Sequence, residues 1–190
     1  MRASNVIYRS GARPGDGIYI TGTAGDSALG LETLKRHGIK ALKNGPFKKA
    51  VLKHLDPCPR VEAGQRIASR GLATAMIDIS DGLMLDLKRL CAESNVGASV
   101  DAGLIPRSPD MVRYMAAQAA KGLLLALYGG EDYELLFTSP DNNGGKLKRL
   151  GIRLGLPITR IGRIVKSKEG VSVTGKGGGR ITLKRPGFAH

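Results

Sequence analysis

The chain has 190 residues, 42% hydrophobic and 24% charged, a balance that excludes wholesale disorder and allows a real core. No apolar run is long enough to span a membrane, and Met1-Arg2-Ala3-Ser4-Asn5 lacks the apolar stretch of a signal peptide, so the expected location is the cytoplasm. Cys58 and Cys91 with the scattered His37, His54 and His190 argue against a zinc site or a disulfide framework.

The outlier is a formal charge of +14, with twelve Lys or Arg against two acids from Asp141 to His190, 12 − 2 = +10. Such a balance attracts polyanions. Only 4% of residues are aromatic, and none is Trp, so platforms for stacking bases are scarce. The charge reads first as a solvated basic face and second as nucleic-acid binding.

In chain order, Arg13-Pro14-Gly15-Asp16 is a turn signal, and Gly17-Ile18-Tyr19-Ile20-Thr21 alternates like a strand. Gly22-Thr23-Ala24-Gly25-Asp26-Ser27 serves equally well as a phosphate-cradling loop or as a tight strand-to-helix connection. Asp26 or Ser27 is placed to cap a helix carrying Leu29, Leu31 and Leu34 to Gly38. Pro46 opens a second helix with Phe47, Val51, Leu52 and Leu55 on one face. Asp56-Pro57-Cys58-Pro59-Arg60 must be extended, because each proline biases its predecessor away from helix. A third helix follows from about Val61 to Arg70.

Ala73-Thr74-Ala75-Met76-Ile77 reads as a buried strand, and Leu83, Leu87, Leu90 and Cys91 recur at helical spacing. Asp78-Ile79-Ser80-Asp81-Gly82 is therefore a strand-to-helix junction. Its helix N-terminus suits phosphate, and its carboxylates suit Mg²⁺. The plainer reading makes Ser80 or Asp81 only a helix N-cap.

Asn95 and Gly97 stop that helix, Ala98 to Asp101 forms a strand, and Ser108 with Pro109 opens a helix carrying Met111, Val112, Met115 and Ala119. Leu123 to Tyr128 is apolar and too short to classify by period. In Gly129-Gly130-Glu131-Asp132-Tyr133-Glu134-Leu135-Leu136-Phe137, three acids within four residues enter a β-prone run. Burying them demands cations, donors or metal, which favours a site over packing. A helix from about Lys146 to Leu154 and a strand through Ile158, Ile161 and Ile164 follow. A hairpin of Val171–Thr174 and Arg180–Leu183 ends the chain. Its Gly175-Lys176-Gly177-Gly178-Gly179 link lacks the order of a nucleotide loop and reads as a turn.

Four stretches together resemble the thiamine-monophosphate kinase family of the aminoimidazole-ribonucleotide-synthetase-like superfamily. They are Arg9 to Asp16, Thr21-Gly22 with Gly25 to Leu31, Asp78 to Leu83, and Gly129 to Phe137; Pro57-x-Pro59-Arg60-Val61 and Gly187-Phe188-Ala189-His190 also match. The resemblance implies transfer of the γ-phosphate of ATP to thiamine monophosphate, with Mg²⁺, giving thiamine diphosphate. It implies Asp78 and Asp81 as metal ligands, Ser80 and Arg9 as ATP contacts, and Glu131 and Phe188 as substrate contacts. The implied fold is the superfamily's α+β C-terminal domain, a mixed sheet with packed helices. It occupies residues 1–190, with 1–14 as the lead-in from an N-terminal ATP-binding domain that this chain lacks.

That missing half supplies further metal-binding aspartates and the homodimer contact in the family, so the isolated chain is expected to be inactive or nearly so. Two other readings stand beside this one. The first is a different ATP-dependent synthetase of the same superfamily. The second is a non-catalytic RNA-binding module using Lys146, Lys148, Arg149 and Arg153.

Overall fold

The computed structural model describes residues 6–175 and 179–181. The elements are β1 (Gly17–Thr21), α1 (Asp26–His37), α2 (Ala41–Asn44), α3 (Lys48–Leu55), α4 (Val61–Ser69), β2 (Ala75–Asp78), α5 (Leu83–Ser94) and β3 (Val96–Asp101). They continue with α6 (Pro109–Ala117), α7 (Ala119–Tyr128), β4 (Leu135–Ser139), α8 (Gly144–Leu154), β5 (Ile158–Lys166) and β6 (Val171–Thr174).

The strands form one six-stranded sheet in the order β2-β4-β1-β5-β3-β6. Every neighbouring pair is antiparallel except β3 and β6, so the sheet is mixed and the architecture is α+β, as expected. The period-2 alternation of β1 sorts its side chains to two cores. Ile18 and Ile20 face a cluster with Leu83, Leu87 and Leu90 of α5 and Leu127 of α7. Tyr19 faces the other way, stacked on Phe137 at 5.6 Å, in a cluster with Ile67 of α4 and Leu147 and Leu150 of α8. Helices thus cover both faces, and β1 is buried along its whole length.

Several expectations change. The second helix begins at Lys48, after α2 and an intervening turn with Phe47 in the left-handed region, and Leu52 and Leu55 lie exposed, not in its packed face. The Ser108 helix breaks at Gln118, so Leu123 to Tyr128 becomes the end of α7. The acids Glu131, Asp132 and Glu134 precede β4 and are not on it, because Glu131 (φ 65°) and Tyr133 (φ 50°) leave the extended region. β6 pairs in parallel with β3. The Thr174–Arg180 bridge pairs it with the final segment, and the rest of the strand expected to Leu183 lies outside the described residues.

Candidate functional site

β2 is an edge strand, and its outer side is covered by the lead segment, where the Met76 N–H donates to the Tyr8 carbonyl at 2.9 Å. This contact opens a cleft of about 630 Å³ lined by Tyr8, Arg9, Ser10, Asp78 and Glu93, among others. Asp78 ends β2 with its side chain exposed. Arg9 and Asp78, 69 residues apart, therefore share one cleft wall.

The turn after Asp78 is held by a residue that sequence reasoning missed. Oδ2 of Asp86, a fully buried side chain, accepts from the backbone N–H groups of Ser80 (3.1 Å), Asp81 (3.0 Å) and Gly82 (3.1 Å). Neither Ser80 nor Asp81 is the N-cap of α5. Gly82 holds that position without a side-chain cap, and Asp86 instead ties down the N–H groups of the turn that leads into the helix. The half-buried Ser80 and the exposed Asp81 do not cap the helix. Burial pushes the Asp86 carboxyl above its ordinary range, opposed by the Asp81 N–H and by Arg89. Arg89 bridges the pair, with Nη1 2.9 Å from Asp86 and 2.5 Å from Asp81.

The second unusual stretch docks onto the first. The Ile79 N–H donates to the Glu134 carbonyl (2.8 Å), Tyr133 N–H to Ile79 (2.9 Å) and Glu131 N–H to Ser80 (2.8 Å). The approach is too close for side chains at two places. A Cβ on Gly130 would lie 2.6 Å from the Ser80 carbonyl oxygen, and one on Gly82 (φ 119°) would lie 2.8 Å from that of Tyr128.

The three acids of this stretch have three different fates. Glu131 keeps its side chain 56% exposed, with Oε2 3.4 Å from Nδ1 of His54. That same ring nitrogen is 2.9 Å from Ser27 Oγ, so Ser27, His54 and Glu131 do not form a nucleophile relay, which needs both ring nitrogens. Asp132 accepts from the N–H groups of Gly25 (2.5 Å) and Ser27 (3.0 Å), supplying the cap of α1 that Asp26 and Ser27 had been expected to provide. Burial pushes its carboxyl up to about 7, against the pull of those two N–H groups.

Glu134 is buried and accepts from Thr21 Oγ1 (2.7 Å), Arg60 Nε (2.8 Å) and Arg60 Nη2 (2.7 Å). Lys53 completes the network, 3.9 Å from Glu134 and 2.9 Å from the buried Asp26. The acids of the glycine loop and of this stretch are thus satisfied by cations and donors, which makes Asp132 and Glu134 structural. The available signal was Arg60, which stands between two extended prolines and the start of a helix.

The structure brings Asp78, Ser80, Asp81 and Glu131 into one backbone-bonded assembly, with Arg9 along the cleft that includes Asp78. Phe188 lies outside the described residues. Among the described residues, no group of three or more His, Cys, Asp or Glu is arranged to hold a metal ion. Asp78 and Asp81 offer two carboxylates facing solvent. That donor set suits a hard cation that keeps waters and shares phosphate oxygens, as Mg²⁺ does.

Residues 13–174 match the family described as AIR synthase related protein, C-terminal domain. The chain belongs to this family. The thiamine-monophosphate kinase of Escherichia coli K12 is 43% identical over 185 residues, covering 97% of this chain and 55% of that protein. The crystal structure of thiamine-monophosphate kinase from Stenotrophomonas maltophilia K279a superposes with a TM-score of 0.81 at 36% identity, covering 90% of this chain and 54% of that one. The structure described as AaThiL complexed with AMPPCP and TMP gives 0.74 at 34% identity, covering 94% and 52%. The chain spans about half the length of the curated relatives it matches. No helix among the described residues is long and apolar enough to cross a membrane.

Proposed function

We propose that this AIR synthase related domain is the C-terminal catalytic portion of a thiamine-monophosphate kinase, which phosphorylates thiamine monophosphate to thiamine diphosphate at the expense of ATP. The observation that carries the reading is the docking of Glu131 onto Ser80. It joins the Asp78–Asp81 turn to the acid of the glycine stretch, in a chain 37–43% identical to several thiamine-monophosphate kinases. A solved relative described as complexed with AMPPCP and TMP supports a site that takes an ATP analogue together with the second ligand.

The attacking phosphate oxygen is already anionic, so no general base is required. The barrier lies in bringing two polyanions into line, and fixed charges must lower it. Asp78 and Asp81 would hold Mg²⁺, which would supply positive charge against the phosphates when bound. Arg9, on the cleft wall beside Asp78, would meet ATP phosphate oxygens, and Ser80 would contact the nucleotide. Glu131, exposed and negative, would face the cationic thiazolium or the aminopyrimidine, with Phe188 stacking on the substrate.

Two carboxylates leave the metal site short of charge for two converging phosphate groups. Further carboxylates from an N-terminal ATP-binding domain, in a homodimer, would complete it. The experiment is calorimetric titration of thiamine monophosphate into the chain, alongside thiamine diphosphate formation with ATP and Mg²⁺, for wild type, Glu131→Gln and Asp81→Asn. Binding of thiamine monophosphate weakened roughly tenfold by Glu131→Gln supports the reading. Absence of any binding to the wild-type chain, while another phosphorylated metabolite binds, overturns it.

A further inference from the structure

On the face of the sheet opposite α5, the C-terminal end of α4 and one side of α8 border a cleft of about 380 Å³ lined by Arg70, Leu72, Lys146, Arg149, Leu150 and Arg153. Four of the six lining residues are cations and none is an acid. Lys146, Arg149 and Arg153 fall at spacings of three and four, one stripe of α8, with Arg70 facing them across the cleft. The stripe runs about 10 Å along the helix axis, longer than a single phosphate group needs. Arg70 and Lys146 also make hydrogen bonds to neutral oxygens, the Arg66 carbonyl and Asn143 Oδ1. Among the described residues, no ion pair neutralises any of the four.

We infer that this cleft binds the phosphodiester backbone of a nucleic-acid duplex. Clustered, unneutralised like charges repel one another and cost stability unless an anion shares them. Three of the four are arginines, whose planar fork matches phosphate oxygens with two parallel hydrogen bonds. The apolar floor is Leu72 and Leu150, with no aromatic ring in the lining on which an unpaired base could stack. Contacts are therefore made to backbone, without base readout, and a duplex presents successive phosphates in a fixed array that a linear stripe of cations can follow. The remaining positive charge of the +14 chain strengthens attraction at a distance.

The test is fluorescence anisotropy of a labelled RNA duplex of about 20 base pairs with the intact chain, at several salt concentrations. The compared variants are Arg149→Glu with Arg153→Glu, the milder Arg149→Gln with Arg153→Gln, and a charge-matched control, Lys48→Glu with Lys49→Glu on α3. The cleft predicts that the first pair lowers affinity at least about tenfold and flattens the dependence of log K on log salt by about 2. The glutamine pair should flatten it by a similar amount, and the α3 control should leave affinity within about twofold. Circular dichroism melting confirms that each variant is folded, and the glutamine pair decides the matter if the glutamate pair is not. Equal losses in the cleft and control variants would show that overall charge alone binds RNA and overturn the assignment. So would binding of inorganic pyrophosphate with no binding of the duplex, or preference for a single strand over the duplex.

Discussion

The backbone N–H of Glu131 donates to the carbonyl of Ser80 at 2.8 Å. This one bond spans 51 residues and links the two stretches of the chain that carry its most unusual chemistry. It forms only because residue 130 has no side chain, since a Cβ there would lie 2.6 Å from the accepting oxygen. Gly130→Ala should therefore separate the two stretches while leaving the sheet intact. The expected outcome is a loss of roughly tenfold or more in affinity for thiamine monophosphate, with a melting temperature lowered by only a few degrees. Calorimetry and thermal melting check the two parts.

Asp86 closes the Ser80–Gly82 turn from inside α5. Asp86→Ala leaves three backbone donors without their acceptor, at a cost of about 3 kcal/mol. The variant should melt well below wild type, by roughly 6–12 °C at this chain length. A melting temperature within about 2 °C of wild type would mean that water replaces the carboxylate without penalty.

Arg89 holds the Asp81 carboxylate in the absence of a competing cation. A metal ion using Asp81 must displace or share that contact. Arg89→Met should tighten Mg²⁺ binding, measured calorimetrically in the presence of AMPPCP, by about two- to fivefold, the scale of an exposed ion pair. Weaker Mg²⁺ binding would instead assign Arg89 to phosphate contact.

Asp132 is raised from an ordinary 3.8 to about 7 by burial. Between those values the folded chain binds the proton more tightly than the unfolded chain. The contribution of Asp132 to stability is therefore fully present below about pH 4 and is lost as pH rises to about 7. Asp132→Asn should remove that slope. The difference in melting temperature between variant and wild type should change by roughly 8–16 °C from pH 4 to pH 8, in favour of the variant at high pH, equivalent to about 4 kcal/mol. Parallel melting curves across that range would place the Asp132 titration at its ordinary position.

Glu134 meets Arg60, Lys53 and Thr21 in the interior. Glu134→Gln keeps the volume and removes the charge, leaving Arg60 unpaired, so it should destabilise by about 3 kcal/mol. Replacing both partners, Arg60→Met with Glu134→Met, should cost less than the sum of the single changes. Chemical denaturation with a double-mutant cycle measures the coupling.

Much of the architecture was readable locally. Ile18 and Ile20 against Tyr19 announce a strand by alternation, and Ser108 before Pro109 announces a helix start by capping chemistry, with the Ser108 side chain accepting from Met111 N–H as expected. The motif order from Arg9 through Asp78 to Glu131 pointed to the family in which the chain is found. Caps were misassigned at α1 and α5. A local pattern shows that a helix start needs an acceptor, but any carboxylate brought near can supply it. At α1 the supplier is Asp132, more than a hundred residues away; at α5 no side chain caps the first turn, and Asp86 holds the turn before it.

The sequence by itself determined most of the strands and helices, though not the break at Gln118 or the start of β4, and which acids stand at the strand-to-helix junction. Those properties depend on φ/ψ preference, periodicity and side-chain size, all local. Only the tertiary structure decided that Asp132 and Glu134 serve the fold while Glu131 stays exposed. It also decided that Asp86 holds the Ser80–Gly82 turn from inside α5, and that Arg70 comes to face the α8 cations. The fate of a charged side chain depends on which partners the strand order delivers to it and on how much water remains, and neither is encoded within a short stretch of chain.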